Sequence, residues 1–495
     1  MRTRENGRRG KQTGTVLYKE ILAVLLVLGL ALLGGCNSGT GSGDKGGITI
    51  GKSKELPEDT PWNHGYNAIM ETELGYYSNM TDGQCLRYYE KGTDNTILLC
   101  NKPECAHTSE ESCEARYHGM GTVNTLLYDG ALYVLGVSGI ETDASRFENR
   151  YMLGENGEVI PLGDESAKDQ GDNKVSICLW KGALDGSSLD LVGEVASAEN
   201  TNHERVTTTQ SYAVQNPDYS FIIHKGYAYI PYQIQFGQGN AGLRCGGLMR
   251  MDLKTGQTEE LYQQESRQFL TPSNLVGVGD YVYFTASSGA TKKTLMRYVL
   301  SEKKVETVLE FDQKKDAGYA LFSKNRIYVL SQFEKEGTRA GVFGFRTLEA
   351  KSLKELPEEN IMTEIPFSLQ SDKLNHRIGP FHSIMLYENH ILLAEEEKVF
   401  WYDLKGNCLA EQEGPMEEIG ERVRGWDLYL DYAICNDKLY VLFKNAANKE
   451  YLEIYQVFSC NLEDALQGKG QWEKAFSAQG VLSQKQYEDS ILNDF

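Results

Sequence analysis

Proline is scarce in this chain, eleven in 495 residues, and tryptophan and histidine are scarcer still at five and eight. After residue 50 no Pro-rich, Ser-rich or charge-block stretch marks a linker. This argues against a string of small domains, although the length alone would accommodate two or three. Basic charge is in deficit: 50 Lys and Arg against 70 Asp and Glu leave a net charge of −20. A surface of that sign repels nucleic acid and anionic headgroups and excludes recognition of either through bulk charge. It does not make the partner cationic, because acidity also serves solubility. Helical periodicity is scarce as well, which removes the helical bundles. No G-x-S-x-G, no phosphate-binding P-loop, and no G-x-G-x-x-G between a strand and a helix is present, so the common nucleophile-elbow and nucleotide-binding chemistries find no support.

Long apolar runs are missing too, with one exception at the start. Residues 1–20 carry six basic residues against Glu5 and Glu20, and thirteen apolar residues follow, Ile21 to Leu33, before Gly34, Gly35 and Cys36. A basic head, a short apolar middle and small residues before a cut site describe a secretory signal. As a helix the run reaches about 20 Å, short of the roughly 30 Å of a bilayer core. Leu33-Gly34-Gly35-Cys36 resembles the lipobox of bacterial lipoproteins. By that resemblance cleavage precedes Cys36, its thiol takes a diacylglyceryl group, palmitate is among the expected acyl chains, and residues 1–35 are the signal peptide. The expected location is the extracytoplasmic face of the cell membrane. Residues 36–60 are expected to be a lipidated tether, since NSGTGSGDKGG is Gly- and Ser-rich with almost no apolar content.

What is present in quantity is tyrosine, 29 residues, and a repeat. A polar turn ending in Gly, Asp or Asn runs into an alternating strand with an aromatic near its start. The copies are YDGALYVLGV (128–137), HKGYAYIPYQ (224–233), GVGDYVYFTA (277–286), SKNRIYVLSQ (323–332), YENHILLAEE (387–396) and CNDKLYVLFK (435–444), with a weaker LGYYSN at 74–79. A second motif follows each strong copy, a strand and a turn such as LMRMDLKTGQTEEL (248–261) or VFWYDLKGNCL (399–409), whose Gly and Asn suit positive φ between paired strands. Four short strands per unit, recurring about every 45 to 65 residues, is the pattern of a β-propeller blade. The fold expected is an all-β propeller over residues 61–466 with seven blades, six and eight being the alternative counts. A β-sandwich pair or a β-solenoid would not need so regular a repeat. One wide gap predicts an insertion in the second blade, residues 138–220, partly a polar, acidic loop. Segment 66–80 is expected to close the ring by pairing with the last blade, and residues 467–495 to form a C-terminal extension. The unit resembles the propeller repeats of lipid-anchored and secreted proteins of Gram-positive (Firmicutes-type) bacteria. That resemblance rests on turns and aromatics and implies fold, not chemistry.

One cluster carries candidate chemistry. CNKPECAHTSEESC places Cys100, Cys105, His107 and Cys113 within fourteen residues, a ligand set that fits a structural zinc. An exported protein can be oxidised instead, and Cys85 makes the local set even with three possible pairings. Excluding Cys36, nine cysteines remain, so full pairing is impossible; in a reducing setting most would be buried thiols. Metal, disulfide and free thiol all stay open, and each of the first two would staple the loop after the first blade. His376 and His382, six apart beside a Gly-Pro turn, with His390 after them, read as incidental loop residues. The acidic stretch between Glu155 and Asp172 lacks the alternating Asp spacing of a calcium loop. Trp180, Trp401 and Trp426 would stack on sugars if they reached a surface, but blade packing is their more ordinary use.

These readings converge on a membrane-anchored binding module for a glycan, a peptide or an envelope protein partner, with no nucleic acid, no cofactor beyond that zinc and no catalytic residue assigned. The alternative is an extracytoplasmic enzyme, a glycosidase, lyase or hydrolase with its active site in the central channel, which requires two carboxylates, or a His and a partner, converging on the axis. An inert envelope scaffold is the third.

Overall fold

The computed structural model describes residues 50, 52, 70–78, 87–93, 96–99, 124–138, 151–153, 159–161, 174–199, 205–207, 221–236, 243–266, 272–288, 292–334, 336, 341–367, 383–395, 398–415, 429–445 and 453–480. Apart from one small hairpin, Tyr151–Leu153 with Val159–Pro161, the strands form seven antiparallel sheets, each with a four-strand meander. This is a seven-bladed β-propeller. Blade 1 runs from Met70–Glu71 to Thr96–Leu98, blade 2 from Asn124–Tyr128 to Leu189–Glu199, and blade 3 from Ile222–His224 to Thr258–Ser266. Blade 4 spans Ser273–Val278 to Lys304–Glu310, blade 5 Asp316–Phe322 to Ile361–Phe367, blade 6 Ser383–Tyr387 to Cys408–Glu413, and blade 7 Tyr429–Cys435 to Glu473–Gly480. Arg205–Thr207 adds a fifth strand to blade 3. First strands of successive blades approach one another from blade 3 to blade 7, as strands around a central axis must. Bonds that join them directly include the Tyr319 hydroxyl donating to the Ile384 carbonyl at 3.3 Å and Tyr432 N–H donating to Ser383 Oγ at 3.1 Å.

Each strong sequence repeat is the turn from first to second strand plus the second strand. The turns are tight and left-handed: Asp129 and Gly130 have φ of 48° and 68°, Lys225 and Gly226 of 50° and 76°. Two successive positive φ values match the right-handed twist of the strands they join. The second strands are buried almost continuously rather than alternately, as in Ala131–Leu135. The reason is that each sheet lies between two neighbours, so both faces are covered.

The core is accordingly divided into seven apolar clusters, one per seam between blades. Leu126, Tyr133 and Leu179 of blade 2 meet Phe221, Ile230 and Tyr232 of blade 3. Trp401 and Leu392 of blade 6 meet Tyr432, Val441 and Phe458 of blade 7. Burial of each such side chain contributes about 1.5–3 kcal/mol. The second sequence motif also works across seams. Gly186, Gly256, Gly406 and Gly468 all have positive φ in the turn between third and fourth strands. A Cβ on any of them would meet a backbone carbonyl of the preceding blade: Leu99, Val192, Met362 and Glu411 respectively. The arginines of LMRMDL and LMRYVL reach forward instead. Arg250 donates to Tyr298 of blade 4 at 2.9 Å, and Arg297 to the carbonyl of Ala350 in blade 5.

Four expectations change. The expected insertion at 138–220 contains the third and fourth strands of blade 2, Lys174–Gly182 and Leu189–Glu199, so the extra chain is 139–173 and 200–221. The expected C-terminal extension contains the fourth strand of blade 7, Glu473–Gly480. Ile50, expected in the tether, packs with Met70, Tyr77 and Tyr88. Among the described residues of 66–80, none pairs with blade 7 as a strand; both of its strands belong to blade 1. The ends meet through side chains. Tyr76 and Tyr89 pack on Phe476, with centroids 5.3 and 4.6 Å apart, and Tyr76 lies edge-on to Tyr440.

Candidate functional site

A four-strand meander sorts its connections by end. Turns from first to second and from third to fourth strand leave one end of every sheet. Second-to-third connections and the links between blades leave the other. Here the two ends are unequal. The first group includes two-residue turns at 129–130, 225–226, 279–280, 388–389 and 436–437, and its longest members are 350–360 and 462–472. The latter holds the short helix Leu462–Ala465, capped by the Asn461 side chain accepting from Asp464 N–H. The second group includes 99–123, 139–173, 200–221, 368–382 and 414–428. The long connections therefore all depart from one face, and long connections on a rigid scaffold are where binding groups concentrate.

At that same end the first strands of blades 2, 4, 5 and 6 begin with small polar residues. Ser273 and Asn274 in blade 4 and Ser383 in blade 6 are half-buried, and Thr125 in blade 2 and Asp316 in blade 5 are buried. Asn274 has φ of 52° and donates to Thr285 Oγ1 at 3.4 Å. Asp316 is held from two sides: Arg346 Nη2 and Nε lie 2.7 and 3.2 Å from its oxygens, and Ser331 Oγ donates at 2.7 Å. Its backbone enters from a described link, 311–315, where Asp312 N–H donates to Asp316 Oδ2 at 2.9 Å. Hydroxyls, an amide and a carboxylate held by Arg346 and Ser331 thus stand at the strand starts on the end from which the long connections depart. Apart from Asp316, the first-strand carboxylate whose surroundings are described is Glu71, at the opposite end of blade 1. It is fully buried beside Lys91 Nζ at 2.6 Å. The two are not a converging pair. No sequence signal marked this rim, because Ser, Asn and Thr at strand starts look like ordinary turn residues.

The sequence-derived candidates distribute as follows. Cys36, Cys85, Cys100, Cys105, His107, Cys113, His376, His382 and Trp426 lie outside the described residues. By sequence, the Cys100–Cys113 set falls in link 99–123 and the two histidines in link 368–382, both departing from the long-loop face. His390 opens the second strand of blade 6 on the tight-turn face. Trp401 is fully buried in a seam, which leaves it no surface for a sugar, and half-buried Trp180 packs against another seam. Cys178, Cys245 and Cys460 are buried, Cys435 is half-buried and Cys408 exposed. Burial pushes the Cys460 thiol up to about 11, the direction of an inert thiol rather than a nucleophile. Among the described residues no group of His, Cys, Asp and Glu is arranged to hold a metal ion, and no helix is long and apolar enough to cross a membrane.

No protein family model matches the chain, and no curated protein matches it. Solved structures do. Prolyl endopeptidases analysed for inter-domain dynamics in catalysis and specificity align at 13% identity and a TM-score of 0.42, over 88% of this chain and 51% of theirs. The GH74 enzyme of Niastella koreensis aligns at 13% identity and a TM-score of 0.42, over 86% of this chain and 55% of its own. An uncharacterised protein of Listeria monocytogenes aligns at 8% identity and a TM-score of 0.33, over 73% and 81%. The chain spans about half the length of the first two. Likeness at this level says nothing about activity.

Proposed function

We propose that this chain is a lipid-anchored extracytoplasmic propeller that binds a polar ligand, a glycan, a peptide or an envelope protein, through its long-loop face and the hydroxyl-rich rim at the axis. The observation that carries the reading is the inequality of the two faces. Among the described residues the apolar clusters all lie in the seams between blades, and no connection on the tight-turn face is longer than those at 350–360 and 462–472. The additional chain is spent on one side. A scaffold would have no use for that asymmetry. The Cys36 lipid would hold the body at the membrane, where two acyl chains anchor far more firmly than one. The Cys100, Cys105, His107 and Cys113 set would staple the first long link, through structural zinc or through disulfides.

Two measurements test the parts separately. Mass spectrometry of the mature N-terminus should find a diacylglyceryl Cys36, and Cys36→Ser should release the protein from the membrane; a retained Met1 contradicts the anchor. For the ligand, a Cys36→Ser chain on glycan and peptide arrays should lose binding when 139–173 is replaced by a short turn and keep it when Lys225 and Lys254 are changed to Gln. Loss in the second case contradicts the face assignment. Thiol labelling of the same chain should show Cys100, Cys105 and Cys113 protected until chelator or reductant is added, and the reagent that frees them identifies the staple.

A further inference from the structure

We propose that the ring opens at the seam between blade 7 and blade 1, and that Glu71 is the latch that keeps it shut. Six of the seven seams are crossed by the chain itself, because blades 1 to 7 follow one another in sequence. A covalent crossing keeps neighbouring blades at high effective concentration even when their side chains part. Among the described residues the seventh seam has neither such a crossing nor a shared strand. Among the described residues it is side chains that join it: the Tyr76, Tyr89 and Phe476 stack, Tyr440, and the apolar Ala433, Leu442 and Val457. Parting them breaks no backbone ladder bond, since each blade keeps its own sheet. Opening here is therefore a local event, less costly than unfolding any blade.

Glu71 is built across this gap. It sits on the first strand of blade 1 with its side chain at 0% exposure. From its own blade Lys91 Nζ donates to Oε1 at 2.6 Å. From blade 7 the Tyr440 hydroxyl donates to Oε2 at 3.0 Å and Asn436 Nδ2 at 3.3 Å, and Lys438 Nζ stands 3.8 Å from Oε1. One carboxylate is thus held from both sides of a seam that no described segment of the chain crosses. The comparison is Asp316, an equally buried carboxylate whose described partners Ser331 and Arg346 belong to its own blade. Replacing Glu71 by its amide removes the charge that both lysines face and unpairs buried donors, which favours the open seam.

The test uses alkylation of a buried thiol placed in the closing seam and in an ordinary one. Ala433 faces the blade 7–blade 1 seam and Ala320 the blade 4–blade 5 seam, and both are buried. In the full chain under native conditions, Ala433→Cys should be alkylated at least about tenfold faster than Ala320→Cys, read by peptide mass spectrometry, because opening at the first site is local. Adding Glu71→Gln should raise the first rate by roughly another factor of ten and leave the second unchanged. Equal rates at the two sites overturn the opening seam. An Ala433→Cys rate that ignores Glu71→Gln overturns the latch, and equal acceleration of both sites means global unfolding and overturns it too. Should Glu71→Gln fail to fold, the comparison of the two sites with Glu71 intact decides the proposal alone.

Discussion

Gly256 sits at φ 69° in the last turn of blade 3, where a side chain would run into the Val192 carbonyl of blade 2. Gly130, at φ 68° in the first turn of blade 2, has open space where its side chain would be. The pair separates two reasons for a glycine. An L-residue in the left-handed region costs about 1–2 kcal/mol at either site, and overpacking adds about 1–3 kcal/mol at Gly256 alone. Gly256→Ala should therefore lower the urea midpoint clearly more than Gly130→Ala, and equal losses would show that the glycine serves the turn and not the seam. The turn role was legible in the sequence as KTG and KGN. The contact with the preceding blade was not, because its partner lies in a strand some sixty residues earlier and leaves no mark at the glycine itself. Glu71 was invisible for the same reason in stronger form: its hydrogen bond to Tyr440 spans 369 residues.

Strands differ in how plainly they announce themselves. Second strands are covered on both faces and read as apolar runs behind a turn, so all seven were located from sequence, that of blade 1 as the weaker copy at 74–79. Fourth strands lie at the outer edge. Thr258–Ser266 and Lys304–Glu310 are half-exposed and rich in Glu, which keeps an unpaired edge from recruiting another chain and also disguises it as loop. That disguise hid Glu473–Gly480 in the expected tail and Leu189–Glu199 in the expected insertion. Blade 1 was faint because its strands are short, two to four residues each. The distinction has a measurable consequence at the C-terminus. A chain ending at residue 466 loses the strand that pairs with Glu453–Asn461 and removes Phe476 from the closing seam. It should be insoluble or unfold at much lower urea, whereas one ending at 480 should match the full chain. Equal stability of the two truncations would remove this strand from the fold.

For the molecule as a whole, the abundance of tyrosine sets its behaviour in alkali. Burial pushes Tyr76 and Tyr402 up to about 12, with the Glu71 charge adding to the first, and raises Tyr229, Tyr283 and Tyr440 in the same direction. An unfolded tyrosine titrates near ~10. Because the folded-state values are raised, their contribution to stability is complete below pH ~10 and is lost as pH climbs from there through about 12. Tyrosinate absorbance should accordingly rise together with loss of the β-sheet circular dichroism signal in one steep transition. Smooth ionisation of all tyrosines near pH 10 with the sheet intact would contradict the seam packing. The whole-molecule fold was the most legible level, since a repeat of turns suffices to show it. Function was the least, since the rim at the axis is assembled from single residues on separate blades.

That assembly makes a ligand-bearing face the central claim, and cross-linking in intact cells addresses it most directly. A photoreactive residue would replace Lys292 or Lys314 on the long-loop face, and Lys225 or Lys254 on the tight-turn face, all four exposed. The account predicts a recurrent adduct from the first two positions that disappears when 139–173 is shortened, and none from the second two. Adducts from the tight-turn positions alone, or equally from all four, would contradict it.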